Sequence, residues 1–275
     1  NRLRMQSSRT RLLVVLGVIA LTAALYFAPK KIEKKVTADT LAGFSIDDQI
    51  NEVKGRLKSE EKEQITAIED LLKKNPSDKN IQDSLGKLWD RFQTPQISSY
   101  YYEEIAKSES TEQNWINAAF RYFDAFKMTG DSLKRTYFVN KAIDSYKKVI
   151  EINPKNYDAK TDLGVCYAEG SSNPMQGILM LREVAEEAPN HLMAQYNLGV
   201  LSVKSGQLDK AVGRFEKVLE IDPTIEDARF LLGKTYMQMG NNAFALRNFE
   251  TLKKESKNQA LVSEVESLIS QINNH

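Results

Sequence analysis

Cysteine and histidine, the side chains that most often act as nucleophile, general base or transition-metal ligand, occur only three times in this chain of 275 residues. Cys166 lies two residues after Gly164 with no histidine within a helical turn, so the sequence favours a buried, unreactive thiol. His191 follows a Pro-Asn pair and His275 is the last residue, and both positions favour a structural role. The sequence also lacks metal-ligand spacing, a phosphate-binding loop and a Ser-centred nucleophile motif. We therefore expect no catalytic residue, metal, cofactor or small-molecule substrate, and we expect that the protein is not an enzyme.

Charge is distributed unevenly along the chain, which carries 38 Lys and Arg, 37 Asp and Glu and a formal net charge of +1. Residues 1–35 hold eight basic residues and one acidic residue, which leaves 30 basic and 36 acidic residues, a net charge of −6, for residues 36–275. A nucleic-acid-binding domain normally presents a basic face. The acidic balance of the larger part therefore argues against nucleic acid as a partner.

The stretch NLGVLSVKSGQLDKAVGRFEKVLEIDP, residues 197–223, places small residues where a strong helix former is expected. Gly in a helix interior costs about 1 kcal/mol relative to Ala, so Gly199 indicates a place where a second helix passes close by. Gly206 supplies the turn between the two helices, and Ala211 lies on the second of them. Pro223 ends the unit because proline cannot continue a helix.

The same pattern recurs along the chain, which indicates an internal repeat. A Leu-Gly pair ends at Gly233, 34 residues later, and another ends at Gly164, 35 residues earlier. Two weaker copies come before these, and the one that contains Trp115 is longer by about eleven residues. We expect the tip of this longer unit, around residues 128–137 with Phe138 beside it, to project from the repeats as decoration or as a second contact surface.

These residues resemble the tetratricopeptide repeat (TPR) family, whose unit is a helix–turn–helix of about 34 residues. The resemblance implies an all-α fold, a right-handed solenoid of helical hairpins. We assign residues 59–258 to an array of about five units, the second of them extended. Residues 259–275 carry an apolar stripe at helical spacing and are predicted to form a C-terminal closing helix, because the last unit of a solenoid needs a cover for its apolar face.

The chain before the repeats has a different character. Residues 12–28, LLVVLGVIALTAALYFA, contain no charge and as a helix would span about 25 Å, near the lower limit for a bilayer core. We interpret them as an N-terminal transmembrane helix, preceded by a basic flank at 1–11 and followed by a juxtamembrane linker at 29–58. The alternatives are a cleaved signal peptide and a buried helix of a soluble domain.

Basic residues flank the predicted span on both sides, with four Arg before it and four Lys after it, so the positive-inside rule gives nearly equal counts. A short basic flank before a single span commonly leaves a long C-terminal domain outside the cytoplasm. We therefore expect a single-pass protein of a bacterial inner membrane whose soluble domain is periplasmic.

The family resemblance implies that the first helix of each unit lines a concave groove that binds a protein or peptide segment. The groove positions of this sequence are Asn117, Phe123, Asp158, Asp162, Met193, Tyr196, Asn197, Phe230, Lys234 and Met237. At Phe120, Val165 and Val200, packing between neighbouring first helices is the favoured interpretation. Family members that clamp a C-terminal carboxylate combine Asn with Lys and Arg here. Asn117 and Asn197 match that pattern, but the basic partners are absent.

Two functions fit this sequence. The first is a membrane-tethered scaffold that binds a protein or peptide segment in its groove as an accessory factor of a bacterial envelope process. The alternative is a constitutive structural subunit of a larger membrane protein complex. An apolar, aromatic and Met-lined groove with acidic residues suits a helix or extended segment that has hydrophobic anchors and some basic residues.

Overall fold

The computed structural model describes residues 45–274, which lie in one compact unit. This part of the chain consists of helices and connecting turns, without a strand. Its helices are α1 (Ile46–Arg56), α2 (Ser59–Lys74), α3 (Lys79–Arg91), α4 (Pro95–Ser108), α5 (Glu112–Met128), α6 (Ser132–Ile152), α7 (Tyr157–Gly170), α8 (Pro174–Glu187), α9 (Leu192–Lys204), α10 (Leu208–Ile221), α11 (Glu226–Gln238), α12 (Asn242–Glu255) and α13 (Gln259–Asn273).

Helices α3 to α12 form five successive hairpins, α3/α4, α5/α6, α7/α8, α9/α10 and α11/α12, and each hairpin packs against the next. The apolar residues of neighbouring hairpins merge into shared clusters, so that no hairpin buries its apolar face alone. The predicted all-α solenoid of helical hairpins is confirmed.

The ends of the helices follow from local residue chemistry. Asp78, Asp131 and Asn156 precede helices and accept hydrogen bonds from the first free backbone N–H groups. Gly206 and Gly240 have φ of +73° and +74° in the turns inside the last two hairpins, a conformation that L side chains rarely adopt. These residues make the connections short enough to place paired helices antiparallel.

The small residues of the repeat lie where paired helices cross. A Cβ atom at Gly199 would lie 2.7 Å from the ring of Phe215 on α10, and one at Gly233 would overlap the ring of Phe249 on α12 in the same way. Ala211 is completely buried at the same crossing as Gly199. The close helix crossing that the sequence indicates is therefore confirmed, and the glycines make room for an aromatic ring.

The second hairpin is the longest, with 17 residues in α5 and 21 in α6 against 13 or 14 in the helices of the other hairpins. The residues of its tip, 128–137, are exposed or half-buried, but Phe138, which the sequence placed beside a possible contact surface, is not available as one. Phe126, Phe138 and Val139 are buried, and Phe126 and Val139 fill the space left by the missing side chain of Gly170 on α7. The part of the extra turns at Phe126, Phe138 and Val139 therefore belongs to the core, because the next hairpin packs against it.

The interpretation of residues 29–58 as a linker is wrong for residues 46–56, which form α1. Ile50 of α1 is buried, and Ile46 and Val53 pack with it against the core of the first hairpin. Ser45 caps the helix by accepting a hydrogen bond from the backbone N–H of Asp48. Charged residues between the apolar positions weaken the periodicity here, which is why the sequence alone suggested a linker.

Helix α13 covers the end of the fifth hairpin. Val265, Ile269 and Ile272 on its inner side are buried in the same cluster as Phe249 and Leu252 of α12. The spacing of these apolar residues matches the stripe from which the sequence predicts a closing helix.

No helix within residues 45–274 is long and apolar enough to cross a membrane. The predicted span at 12–28, its basic flank and residues 29–44 lie outside the described residues, as does His275.

Candidate protein-binding face

The first helices of the hairpins, α3, α5, α7, α9 and α11, together with α13, form one surface, which we call the first-helix face. Polar contacts join successive first helices across it. Arg121 of α5 holds Asp90 of α3 through Nε at 2.9 Å and Nη2 at 2.6 Å from the same carboxylate oxygen. His191, before α9, contacts Asp158 of α7 at 3.0 Å. These contacts show that the first helices lie side by side.

Glu169 of α7 bridges three first helices. It accepts hydrogen bonds at 2.6 Å from Lys127 of α5 and from Lys204 of α9. Partial burial acts to raise the pKa of Glu169, but the two lysines outweigh it and hold the pKa below its usual value. This bridge is not predicted from the sequence, although Glu169 and Lys204 stand 35 residues apart at equivalent repeat positions with opposite charges.

An open cavity of about 530 Å³ lies between α9, α11 and α13, and we call it the C-terminal pocket. Its walls are mainly apolar, with polar groups at a few points: Val203, Leu231, Lys234, Thr235, Met237, Gln238 and Leu268. Lys234 and Met237 are predicted site residues, whereas Val203, Leu231 and Leu268 were not singled out as groove residues by the sequence. Leu231 comes from the fifth hairpin and Leu268 from the closing helix, and only the stacking of α13 on the array brings them together.

Tyr196 and Phe230 occupy equivalent positions 34 residues apart and make the same contact. The Tyr196 ring packs 6.2 Å from that of Phe215, and the Phe230 ring packs 6.2 Å from that of Phe249, measured between centroids. Both side chains are half-buried and join the core of their own hairpins. Lys234 places its Nζ 5.0 Å from the centre of the Phe230 ring, so the accessible part of Phe230 is partly covered.

The other uncharged site residues lie on the same face but not in one pocket. Met193 is exposed, and its carbonyl accepts a 2.8 Å hydrogen bond from the Asn197 side-chain amide. Asn117 is half-buried, and its carbonyl accepts from Arg121. Phe123 is half-buried between the clusters of the second and third hairpins. The face is therefore a chain of separate contact points rather than one continuous cleft.

The two predicted aspartates of α7 differ in environment. The carboxylate of Asp158 is exposed and accepts from His191 Nε2, because His191 Nδ1 accepts the backbone N–H of Ala194 and so carries no proton. Asp162 is largely buried and accepts a 3.0 Å hydrogen bond from the Tyr146 hydroxyl. Burial raises the pKa of Asp162 to about 6, although the Tyr146 hydrogen bond opposes that change.

Replacing Asp162 with Asn should make the protein less sensitive to pH. Because the folded-state pKa lies above the unfolded value of about 4, this group favours folding most below pH 4 and loses that contribution as pH rises through about 6. We expect Asp162→Asn to be more stable than the wild type by about 1–3 kcal/mol at pH 7.5 and to differ much less at pH 4.5. Urea unfolding at both pH values measures this, with exposed Asp144→Asn as the control, and equal gains at both pH values contradict the assignment.

A second cavity, of about 350 Å³, lies between α3 and α5 at the other end of the first-helix face, and we call it the N-terminal pocket. It is lined by Asp90, Gln93, Thr94, Pro95, Phe120, Arg121, Asp124 and Met128. The favoured interpretation of Phe120 as a packing residue is wrong, since 52% of its surface is exposed. Val165 is buried and Val200 is half-buried, in agreement with packing between first helices.

The cysteine of this chain is placed for packing. Cys166 is completely buried, and burial raises the pKa of its thiol. Within residues 45–274 no group of three or more His, Cys, Asp and Glu side chains is placed to hold a metal ion.

The hairpin array of residues 79–255, with its repeated glycine crossings, has the helical-hairpin solenoid fold of tetratricopeptide-repeat proteins. Residues 199–240 match the model of the TPR repeat family. The chain is similar to a tetratricopeptide repeat protein from Parabacteroides merdae, with 18% identity, a TM-score of 0.57 and coverage of 76% of this chain and 79% of the other. It is also similar to PilW, a type IV pilus biogenesis factor, with 16% identity, a TM-score of 0.55 and coverage of 80% and 96%. At these identities the likeness concerns the fold alone.

Among curated proteins, the chain is 24% identical over 147 residues to anaphase-promoting complex subunit 3 of Schizosaccharomyces pombe. The match covers 54% of this chain and 22% of that protein. Across the curated relatives that it matches, the chain spans between 16% and 40% of their length. The similarity therefore concerns the repeat region.

Proposed function

We propose that this protein is a scaffold that binds a segment of a partner protein on its first-helix face. The C-terminal pocket carries the proposal. Leu231, Met237 and Leu268 pack against the core of the last hairpins and also line an open, mainly apolar cavity. Removing such surface from water contributes about 25 cal/mol per Å² before the costs of association, which makes the pocket suited to an apolar anchor of a partner.

The charges around the face support a segment that combines apolar and basic residues. Asp158 and Asp162 lie along the face, and residues 36–275 have a net charge of −6. A clamp for a C-terminal carboxylate is disfavoured because Lys127 and Lys204 are already bonded to Glu169, and because the Asn197 amide is bonded within its own helix. The segment is therefore held by side-chain contacts rather than by its terminus.

Attachment to a membrane through residues 12–28, which we call the tether, is a further part of the proposal. Residues 12–28 are uncharged and long enough to cross a thin bilayer core, and basic residues flank them. We propose that they anchor the chain in a bacterial inner membrane, with the repeats in the periplasm, where the scaffold serves an envelope process. The name of one curated relative, a subunit of a complex, supports a role in protein assembly. The alternative to the scaffold is a constitutive structural subunit of a larger membrane protein complex.

The Met237→Glu variant tests the binding face. A charge placed in the C-terminal pocket must be desolvated when an apolar anchor enters, so we expect partner proteins to be retained at least tenfold less, about 1.4 kcal/mol in affinity. Tagged full-length protein is recovered from sedimented membranes in mild detergent, and the co-purified proteins are quantified by mass spectrometry. The wild-type chain should be in the membrane fraction and should elute with substoichiometric, exchangeable partners.

Met239→Glu provides the matched control, because Met239 is exposed at the end of α11 and does not line the pocket. It should retain all partners. Equal retention by both variants moves binding away from the C-terminal pocket, and a fixed stoichiometric assembly favours the structural-subunit alternative. Recovery of the chain in the soluble fraction contradicts the tether.

A further inference from the structure

We infer that the N-terminal pocket is a second binding site on the first-helix face and that it takes an extended segment of a partner protein with a Lys or Arg between two apolar residues. The inference rests on the proposed function, since it specifies a partner chemistry for that face. It concerns α3 and α5, at the opposite end of the array from the C-terminal pocket.

Exposed apolar side chains flank the site. Phe120 and Met128 of α5 have 52% and 63% of their surface exposed, and both line the N-terminal pocket. Large apolar residues are costly to leave in water, and two of them in one pocket mark a surface that gains from being covered. Their positions, eight residues apart on one helix, place them two turns apart on the same side.

Asp124 lies between them on the same side of α5 and is half-buried. Among the described residues it has no hydrogen bond or ion-pair partner, whereas the neighbouring Asp90 is held by Arg121. The Arg121 guanidinium is fixed further by the Tyr102 ring, 3.6 Å from the ring centre. Partial burial raises the pKa of Asp124, with nearby Arg121 acting against it, so a cation placed at this carboxylate relieves the cost of its burial.

The spacing along α5 matches an extended chain. Phe120, Asp124 and Met128 follow one another at four-residue steps, about 6 Å each along the helix. Alternate residues of an extended chain point to the same side at steps of about 6.7 Å. A segment with the order apolar, any residue, basic, any residue, apolar therefore places its three like-facing side chains at Phe120, Asp124 and Met128.

A neighbouring cavity extends the path of such a segment. Gln93 and Met128 also line a space of about 300 Å³ bounded by α1 and by the turn between α5 and α6. Two adjacent cavities that share walls suit a chain lying across them better than a compact ligand held in one.

Selection from a display library of random 12-residue peptides against the immobilised full-length chain tests the inference. We expect enriched peptides to carry a Lys or Arg flanked at two residues on each side by an apolar residue. The affinity of one enriched peptide, made synthetically, is then measured by fluorescence anisotropy. Asp124→Asn should weaken its binding about fivefold and Asp124→Lys about tenfold or more. Changing the peptide Lys to Glu should restore binding to Asp124→Lys.

Asp144→Lys makes the same charge change at an exposed position of α6 and should leave binding unchanged. Thermal melts identify any variant that fails to fold. If Asp124→Lys fails to fold, Asp124→Asn still tests the inference. If the enriched peptides no longer bind Met237→Glu but still bind both Asp124 variants, this inference is overturned and the proposed function stands. Absence of any enriched peptide overturns both. Enriched peptides that bind this site but lack the basic residue overturn this inference alone.

Discussion

Gly177→Ala should destabilise the protein by about 3 kcal/mol or more, the largest effect of any single small substitution that we expect here. A Cβ atom at Gly177 would overlap the carbonyl oxygen of Gly164 and lie 2.5 Å from the backbone nitrogen of Ala168. At Gly199 the nearest atoms belong to a phenylalanine ring, which can turn, but here they belong to the backbone of α7, so α7 and α8 must separate. Urea unfolding measures the loss, and hydrogen exchange should show it concentrated in residues 157–187.

Gly213→Ala is the matched control. Gly213 lies within α10, where a Cβ atom meets nothing within 4 Å. Because alanine is the better helix former, this change should stabilise the protein by up to about 1 kcal/mol. If Gly177→Ala unfolds at the same urea concentration as the wild type, the backbone contact between α7 and α8 does not exist in solution.

Removal of residues 259–275 should make the protein aggregate. Val265, Ile269 and Ile272 would leave the cluster that they share with Phe249 and Leu252, and the face of α12 would be open to water. Full burial of three such side chains contributes about 5 kcal/mol or more, and the uncovered face would also offer a surface for self-association. Size-exclusion chromatography with light scattering should show oligomers or loss of soluble protein.

A single substitution tests whether aggregation follows from loss of the covering helix α13 or from shortening of the chain. Val265→Asp places a charge at a completely buried position and should reproduce the aggregation, whereas Ser263→Asp on the exposed side of α13 should leave a monodisperse species. A truncated chain with the size distribution and melting temperature of the full chain would show that α13 does not cover the array.

The first prediction concerns the contact between the two helices of one hairpin and the second concerns the contact of α13 with the last hairpin, and both bear on function. The first-helix face exists only while successive first helices stay side by side, as the Lys127–Glu169–Lys204 bridge holds them. Separation of α7 from α8 moves the middle of that face, and loss of α13 removes the Leu268 wall of the C-terminal pocket. Loss of binding in these variants therefore has a structural origin, unlike the loss expected from Met237→Glu.

The sequence by itself determined the features that arise within one pair of helices. Gly199 and Ala211 indicated the close crossing, and Gly206 indicated the turn, because each acts on residues within about one repeat of itself. The apolar stripe around Val265 indicated a helix that covers the array for the same reason. The class of the protein follows from these local signals, since they recur at a nearly constant spacing.

Only the tertiary structure decided which side chains remain accessible. Phe120 is exposed although its repeat position indicated packing, and Phe138 is buried because the lengthened α6 lies against the next hairpin. The bridge at Glu169 joins charges from three hairpins, and the N-terminal pocket combines α3, the turn after it and α5. Exposure depends on the lengths and side chains of neighbouring units, which the pattern of a single repeat does not contain, and so the binding surfaces became visible only when the hairpins were stacked.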